Sequence, residues 1–470
     1  MIGDKSIKIS GKRIVKSMWY KKEIHLEQIL SFLIKLFLFV LPWQTIWIYK
    51  EQYLNGFKWQ YGTLGFYATE MLLWFIIIIF MGWSWQRFKQ KDIGFKFHIT
   101  RDRIFTSSVL IFIVYVLTSS FWALDGQLAW QQGLRIMEMF LLFFVLILGP
   151  VDFWYSAKWF TFGALLAAAL GLGQFLLQAT FSCKWLGLAI HNPWVGGTSV
   201  VASEGIGRWL RAYGSFSHPN VFGGYMFVSI VSVALLFVIG FCSQKKYRML
   251  QYLIITIFLS ALLVSFSRTA IIACTFLLVV MFIYSFYNRK GFFASYYFKY
   301  LVALIFVLSL ILMPLLNVRF GQSNSVYEVR SISERVSSVE ESVEIFRENK
   351  LLGVGAGNYT LAVYNLNSNL EGWQYQPVHN IPLLILTEFG IVGFFLTLLV
   401  IISYFYFVYP YWQRRGKSWL TRNMTFIFNA VLLLFPFFII ILLDHYFYTS
   451  YIGLMMVGIY WAMWTKYSTQ

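Results

Sequence analysis

Residues 72–83 read LLWFIIIIFMGW, a stretch without a charge, a proline or any alternation of polar and apolar side chains. A strand of a transmembrane barrel has a lipid face and a lumen face, so its sequence alternates over about ten residues. This run does not alternate. In a bilayer, a helix is the segment that satisfies all its backbone groups internally. Extended outward, the stretch becomes an apolar span near 65–83, close to the roughly 20 residues that cross a hydrocarbon core about 30 Å thick.

The rest of the chain repeats this pattern. With 59% hydrophobic and 12% charged residues and a mean hydropathy of +0.65, the composition excludes an ordinary soluble domain. Further apolar runs lie near 28–48, 107–123, 130–149, 159–180, 221–241, 249–265, 269–287, 299–316, 381–408, 424–443 and 446–464. The expected fold is an all-α polytopic integral membrane protein with about 12 transmembrane helices.

Lys and Arg orient it. With a cytoplasmic amino terminus, 25 of the 38 fall in cytoplasmic segments, 11 outside and two (Lys35, Arg135) within spans. Acidic residues divide six inside, ten outside and four within spans, so the inner face carries 25 minus 6 and the outer face 11 minus 10 charges. That asymmetry obeys the positive-inside rule. The parts are then a basic cytoplasmic segment 1–27, spans over 28–316 with an external loop at 181–220, an external lid loop at 317–380, and three last spans with a short tail over 381–470. Lys5, Lys8, Lys12, Arg13, Lys16, Lys21 and Lys22 read as a topogenic segment facing anionic lipid, not as a nucleic-acid site. The long first apolar run, with no small-residue cleavage site after it, also argues against a cleaved signal. Cys183, Cys242 and Cys274 are spread so that no disulfide is expected, and no CxxC or HExxH points to a metal.

Within the lid loop, Val326, Val329, Ile332, Val336, Val339, Val343 and Phe346 recur at spacings of three or four. This predicts an amphipathic helix over 324–349, with the valine stripe on the bundle and its charges solvated. Charges inside the membrane are functional suspects by default. Glu70, Arg135, Glu138 and Glu388 fall in the outer halves of their spans, and Asp444 at an outer end. Such a one-sided set fits a polar cavity that opens outward, although a structural ion-pair network accounts for it equally well.

Other polar residues collect at the same end: Arg211 and His218 before one span, Arg268 in a tight turn, His379 and Asn380 where the lid loop re-enters, Asp444 and His445 in a hairpin. The motifs RAYGSFSHPNVFGGY, SFSRTAII, ERVSSVEESVEIFRENKLLGVGAGNY, HNIPLLILTEFGIVGFF and LLDHYFYT resemble, in this order, the O-antigen ligase and Wzy polymerase superfamily of bacterial membrane glycosyltransferases. The likeness covers about residues 200–455. It implies a GT-C-like fold in the bacterial cytoplasmic membrane and an inverting transfer of a glycan from undecaprenyl diphosphate to an acceptor hydroxyl on a glycan or lipid. It also implies no metal and no other cofactor, an outer-face site, and assembly partners such as a chain-length regulator.

By the same resemblance Arg211 and Arg268 bind the donor diphosphate, Arg335 matches a further arginine, and His379 is the base. The chemistry is compatible, because guanidinium forks stabilise a departing diphosphate and a neutral imidazole can accept a hydroxyl proton. Asn380 stands beside His379, Glu388 or Asp444 is expected to orient its ring, and His218 is the rival base, its HPN context reading as a turn before a helix. His379 and Gly390 match the spacing described for polymerases, while Arg211 meets Gly223 one position late, so polymerase and ligase both stay open. Trp194, Trp209 and Trp373 are candidates for stacking sugars. The glycines of GVGAGNY (353–359) read as a sharp turn after the lid helix, since neither a preceding strand nor GK[ST] marks a phosphate loop. A transporter of lipid-linked oligosaccharide is the alternative, but alternating access needs polar groups on both sides.

Overall fold

The computed structural model describes residues 26–89, 101–238, 245–288, 296–321, 326–413, 431 and 435–469. The basic amino terminus, Cys242 and half of the run expected at 424–443 lie outside the described residues. The first helix, α1 (26–40), ends just before Pro42. It is therefore shorter than the expected span at 28–48. Proline has no N–H to donate and disfavours helical geometry in the residue before it, and the β-branched and aromatic run that follows suits a strand. That strand, β1 (Ile46–Lys50), pairs antiparallel with β4 (Leu64–Tyr67), Trp47 opposite Phe66. Between them lie two short paired strands, β2 (Tyr53–Leu54) and β3 (Phe57–Lys58).

The bundle contains α2 (Ala68–Lys89), α3 (Arg101–Thr118), α4 (Gly126–Leu148), α5 (Phe153–Leu177), α6 (Pro219–Val238), α7 (Lys245–Val264), α8 (Arg268–Asn288), α9 (Tyr296–Ile311), α10 (Met313–Phe320), α11 (Val326–Glu348), α12 (Tyr359–Leu366) and α13 (Ile381–Gln413). It closes with α14 (435–443), α15 (Tyr446–Thr449) and α16 (Tyr451–Thr469). The chain is mostly helical, and its apolar helices make it a membrane protein. Among the described residues six helices are long and apolar enough to span a bilayer, or seven if a bent pair is one span, against the twelve expected. Two of the shortfalls are Met249–Val264 and Arg268–Val280, which are apolar but short. The run at 299–316 is not straight: Lys299–Ile311 and Met313–Phe320 differ in direction by 83°. Pro314 in the first turn of α10 explains the break.

Two capping aspartates show how local chemistry fixes helix starts. Asp125 accepts from Gln127 N and Leu128 N, and Asp152 from Tyr155 N. In the loop at 181–220, β5 (Val200–Ser203) and β6 (Gly207–Leu210) form a hairpin, with Val200 opposite Leu210. α16 packs into the centre against α4, α13 and α6, and Met455, Met456, Tyr460 and Ala462 on it are fully buried.

The expected lid helix exists as α11, but its packed face differs from the valine stripe. Val336, Val339 and Val343 are exposed, whereas Ser338, Ser342 and Ile345 are buried. The small serines admit Tyr359, whose OH donates to the Ser338 carbonyl (3.0 Å) and lies 2.9 Å from the Ser342 hydroxyl. A polar contact, not the apolar stripe, fixes the rotation of the helix.

After α11 the chain locks into α13. Gly390 has φ +62° and interrupts the α13 helix, so the N–H groups just beyond it need other acceptors. Ile391 N donates to the Lys350 carbonyl (2.8 Å) and Val392 N to the Leu351 carbonyl (3.3 Å). In return Val354 N donates to Thr387 O (3.0 Å) and Gly355 N to Glu388 O (2.9 Å). A Cβ on Gly390 would lie 2.2 Å from the Leu351 carbonyl oxygen, so only glycine admits the inserted segment.

Candidate functional site

The helix ends that meet at one end of the bundle bring the polar residues together. Arg211, just after β6, is buried and extends between α7 and α6: Nε donates to the Ser265 carbonyl (2.8 Å) and a terminal nitrogen to Asn220 Oδ1 (2.7 Å). Asn220 passes the contact on, its Nδ2 donating to Asp444 Oδ2 (2.9 Å). Asp444 is buried at the end of α14, where it also accepts from His445 N (2.9 Å) and, at 3.5 Å, from Thr269 Oγ1.

Asn380 caps α13, its Oδ1 accepting from Leu383 N (3.0 Å), and its Nδ2 donates to Leu442 O (3.3 Å). Through these two hydrogen bonds Asn380 both caps α13 and pins its start to the end of α14. It sets the half-buried His379 beside His445, ring centroids 4.9 Å apart and nearly perpendicular. Burial lowers the His379 pKa from the ordinary imidazole value, Asp444 pulls it upward and Arg335 pushes it down. The ring is therefore neutral at neutral pH, as a proton acceptor must be.

His218 is differently placed. Its Nδ1 accepts from Asn220 N (3.1 Å), so a neutral ring carries its proton on Nε2, 3.0 Å from Ser199 Oγ. Both nitrogens are engaged in holding the loop against α6, which matches the turn-shaping reading of the HPN sequence. Glu388 is also structural. It is buried, and it accepts from Gly357 N (2.7 Å), Tyr359 N (3.4 Å) and the Tyr448 hydroxyl. Its hydrogen bonds anchor the GVGAGNY turn, where Gly353, Gly355 and Gly357 all have positive φ, and none goes to the His379 ring. Of the two acids expected to orient His379, Asp444 is the one near its ring, with ligand atoms within 4.8 Å of each other.

The membrane-embedded charges Glu70 and Arg135 likewise hold structure. Glu70 accepts from Tyr67 N (3.1 Å), Arg135 donates to the Gly65 carbonyl (2.8 Å), and the two charged groups lie 3.8 Å apart. They fasten β4 to α2 and α4. Glu138 is fully buried beside them, without a hydrogen bond among the described residues.

Arg268 and Arg335 join the cluster, together with two residues to which sequence reasoning assigned no role. Arg319, at the end of α10, donates from Nε to the Phe266 carbonyl (3.1 Å), while Arg268 Nε donates to the Arg319 carbonyl (3.0 Å). Arg211, Arg268, Arg319 and Arg335 are near enough to repel one another. Arg335 Nε is buried and has no acceptor among the described residues. The second residue is His445. Thr449 Oγ1 donates to the His445 carbonyl (3.3 Å) and so accepts the ring proton at Nδ1 (2.8 Å), leaving Nε2 as an acceptor. Burial holds its pKa well below the ordinary value. No periodicity marks Arg319 or His445; only their place at the shared helix end does.

The cluster has the electrostatics of an anion site. Arg211, Arg268 and Arg319 are desolvated by burial and each is repelled by Arg335, while Asp444 attracts Arg211, so positive charge predominates where they meet. His379, Asp444 and His445 also offer ligand atoms within 4.8 Å of one another, a spacing open to a metal ion. The surrounding guanidiniums work against a dication there and for a multiply charged anion. Trp194 and Trp373 lie on loops and Trp209 on β6, and they are exposed at 72%, 48% and 38% respectively. Among the described residues Cys183 and Cys274 are unpaired.

Residues 253–398 match the O-antigen ligase family model. The O-antigen ligase stretch runs from within α7 to beyond the break at Gly390, and holds Arg268, Arg319, Arg335, His379 and Glu388. Arg211, His218 and Asp444 lie outside it and reach the same cluster through the fold. No curated protein matches the chain.

Proposed function

We propose that the chain is a membrane glycosyltransferase of surface polysaccharide assembly, moving a glycan from a polyprenyl diphosphate carrier to an acceptor hydroxyl outside the cytoplasmic membrane. The observation that carries this reading is the gathering of Arg211, Arg268, Arg319 and Arg335 at one end of the bundle, where Arg211 reaches Asp444 through Asn220 and Arg335 acts on His379. A diphosphate leaving group gains charge as the glycosidic bond breaks. Guanidiniums already held by backbone carbonyls can stabilise that charge with little reorganisation. His379 takes the acceptor proton, and Asp444, fixed by Asn220, steadies the imidazolium that results. His218 and Glu388 support the walls of the cleft and do not act on substrate.

The test uses purified full-length protein, undecaprenyl diphosphate-linked oligosaccharide and EDTA, following glycan length and carrier release for wild type, His379→Ala and Arg268→Ala. Longer lipid-linked chains from wild type alone mean a polymerase. Carrier release that needs an added acceptor means a ligase. If no acceptor gives turnover while the same lipid crosses the bilayer of proteoliposomes, the enzyme reading is wrong and a transporter takes its place.

A further inference from the structure

We propose that Arg319 is a further donor-binding arginine, which acts with Arg268 as one rigid unit and makes the site selective for a diphosphate over a monophosphate. This rests on the donor reading above and deepens it. The two guanidiniums are tied reciprocally. Arg268 Nε binds the backbone carbonyl of Arg319, and Arg319 Nε binds that of Phe266, two residues before Arg268. Each side chain therefore fixes the chain segment that carries the other.

The fold makes a specific provision for this pair. α9 and α10 together are apolar enough to be a single span, but at Pro314 the axis turns by 83°. A straight continuation would carry Arg319 away along the α9 axis. The turn instead lays α10 across the bundle against β5, with Arg319 in its last turn beside the segment before α8.

Elsewhere the cluster supplies two more guanidiniums, each held differently. Arg211 is fixed by Ser265 O and Asn220, and Arg335 projects from α11 with an Nε that meets no acceptor among the described residues. A single phosphate has too few oxygens to engage four forks, whereas two linked phosphates carry more acceptors and more charge for them. The Arg268 and Arg319 pair then takes one phosphate while Arg211 and Arg335 take the other.

The experiment measures binding of farnesyl diphosphate and farnesyl monophosphate to the detergent-solubilised full chain by titration calorimetry. Wild type, Arg319→Gln and Arg319→Lys are compared, with thermal unfolding of each. Losing one charged hydrogen-bonding partner predicts about tenfold or more weaker diphosphate binding in Arg319→Gln. Monophosphate binding should change less, so the preference between the two ligands falls. Arg319→Lys keeps the charge but not the fork and should fall between. If Arg319→Gln binds the diphosphate as wild type does, or weakens both ligands equally, this inference is overturned and the donor reading stands. Should wild type itself bind the diphosphate no better than the monophosphate, both fall.

Discussion

Asp444→Asn removes one charge from the centre of the cluster and leaves the side-chain shape almost unchanged. The carboxylate lies within 4.8 Å of the nitrogen ligand atoms of His379 and His445. At that separation opposite unit charges attract by about 3.5 kcal/mol in an effective dielectric near 20. His379 is half-buried, and screening by water that halves this leaves about 1.7 kcal/mol. Burial already lowers the His379 pKa and Asp444 raises it, so the substitution lowers it further. The acid limb of the rate profile, below which the base is protonated and idle, therefore moves down. The plateau rate falls by roughly ten- to twentyfold, because the imidazolium formed in the transition state has lost its counter-charge. Single-turnover carrier release measured from about pH 5 to 9 reads both quantities. An acid limb that stays in place or moves up would refute the pairing of Asp444 with His379.

Three further outcomes are expected. Gly390→Ala forces a side chain into positive φ against the Leu351 carbonyl, and should lower stability by about 1–3 kcal/mol or more; an unchanged melting temperature in detergent would show that the inserted segment does not pin α13. Glu388→Gln replaces one acceptor oxygen by an NH₂ that faces donors from Gly357, Tyr359 or Tyr448, and should cost about 1–3 kcal/mol in thermal unfolding with the pH profile of the remaining activity unmoved. His218→Ala should retain turnover within about tenfold of wild type, whereas His379→Ala loses at least about a hundredfold; equal losses in the same release assay would return His218 to the reaction.

The helical membrane architecture was legible because apolar runs without alternation admit one solution in lipid. Arg211, Arg268, His379 and Asp444 group in the sequence because they flank the ends of spans that topology places on one side, whereas Arg335 lies mid-way along α11 and is expected there only from the family resemblance. Hydropathy fails where the chain changes state inside an apolar window. The run through Pro42 becomes a strand, and the run through Pro314 becomes a corner, because an average over side-chain polarity carries no backbone geometry. Glu388 illustrates a second limit: the sequence offers it as a partner for His379, but backbone donors of the glycine turn and the Tyr448 hydroxyl claim its oxygens. The valine stripe of α11 is a third. Its period predicts the helix correctly, but a tyrosine hydroxyl bonded at Ser338 and lying beside Ser342 decides which side faces inward.

The segment at 350–355 is joined to α13 by backbone bonds in both directions across the break at Gly390. A membrane helix interrupted in this way is incomplete alone, for part of its hydrogen bonding is completed by a stretch of chain that precedes it by about 40 residues. The covering loop is therefore not a detachable specificity cassette. An exchange with a relative that cuts between α11 and α13 would leave bare amides within an apolar helix, while a graft carrying both sides of the joint, from α11 through α13, keeps them satisfied. Recombination in this part of the chain, by engineering or by descent, is tolerated only in whole blocks.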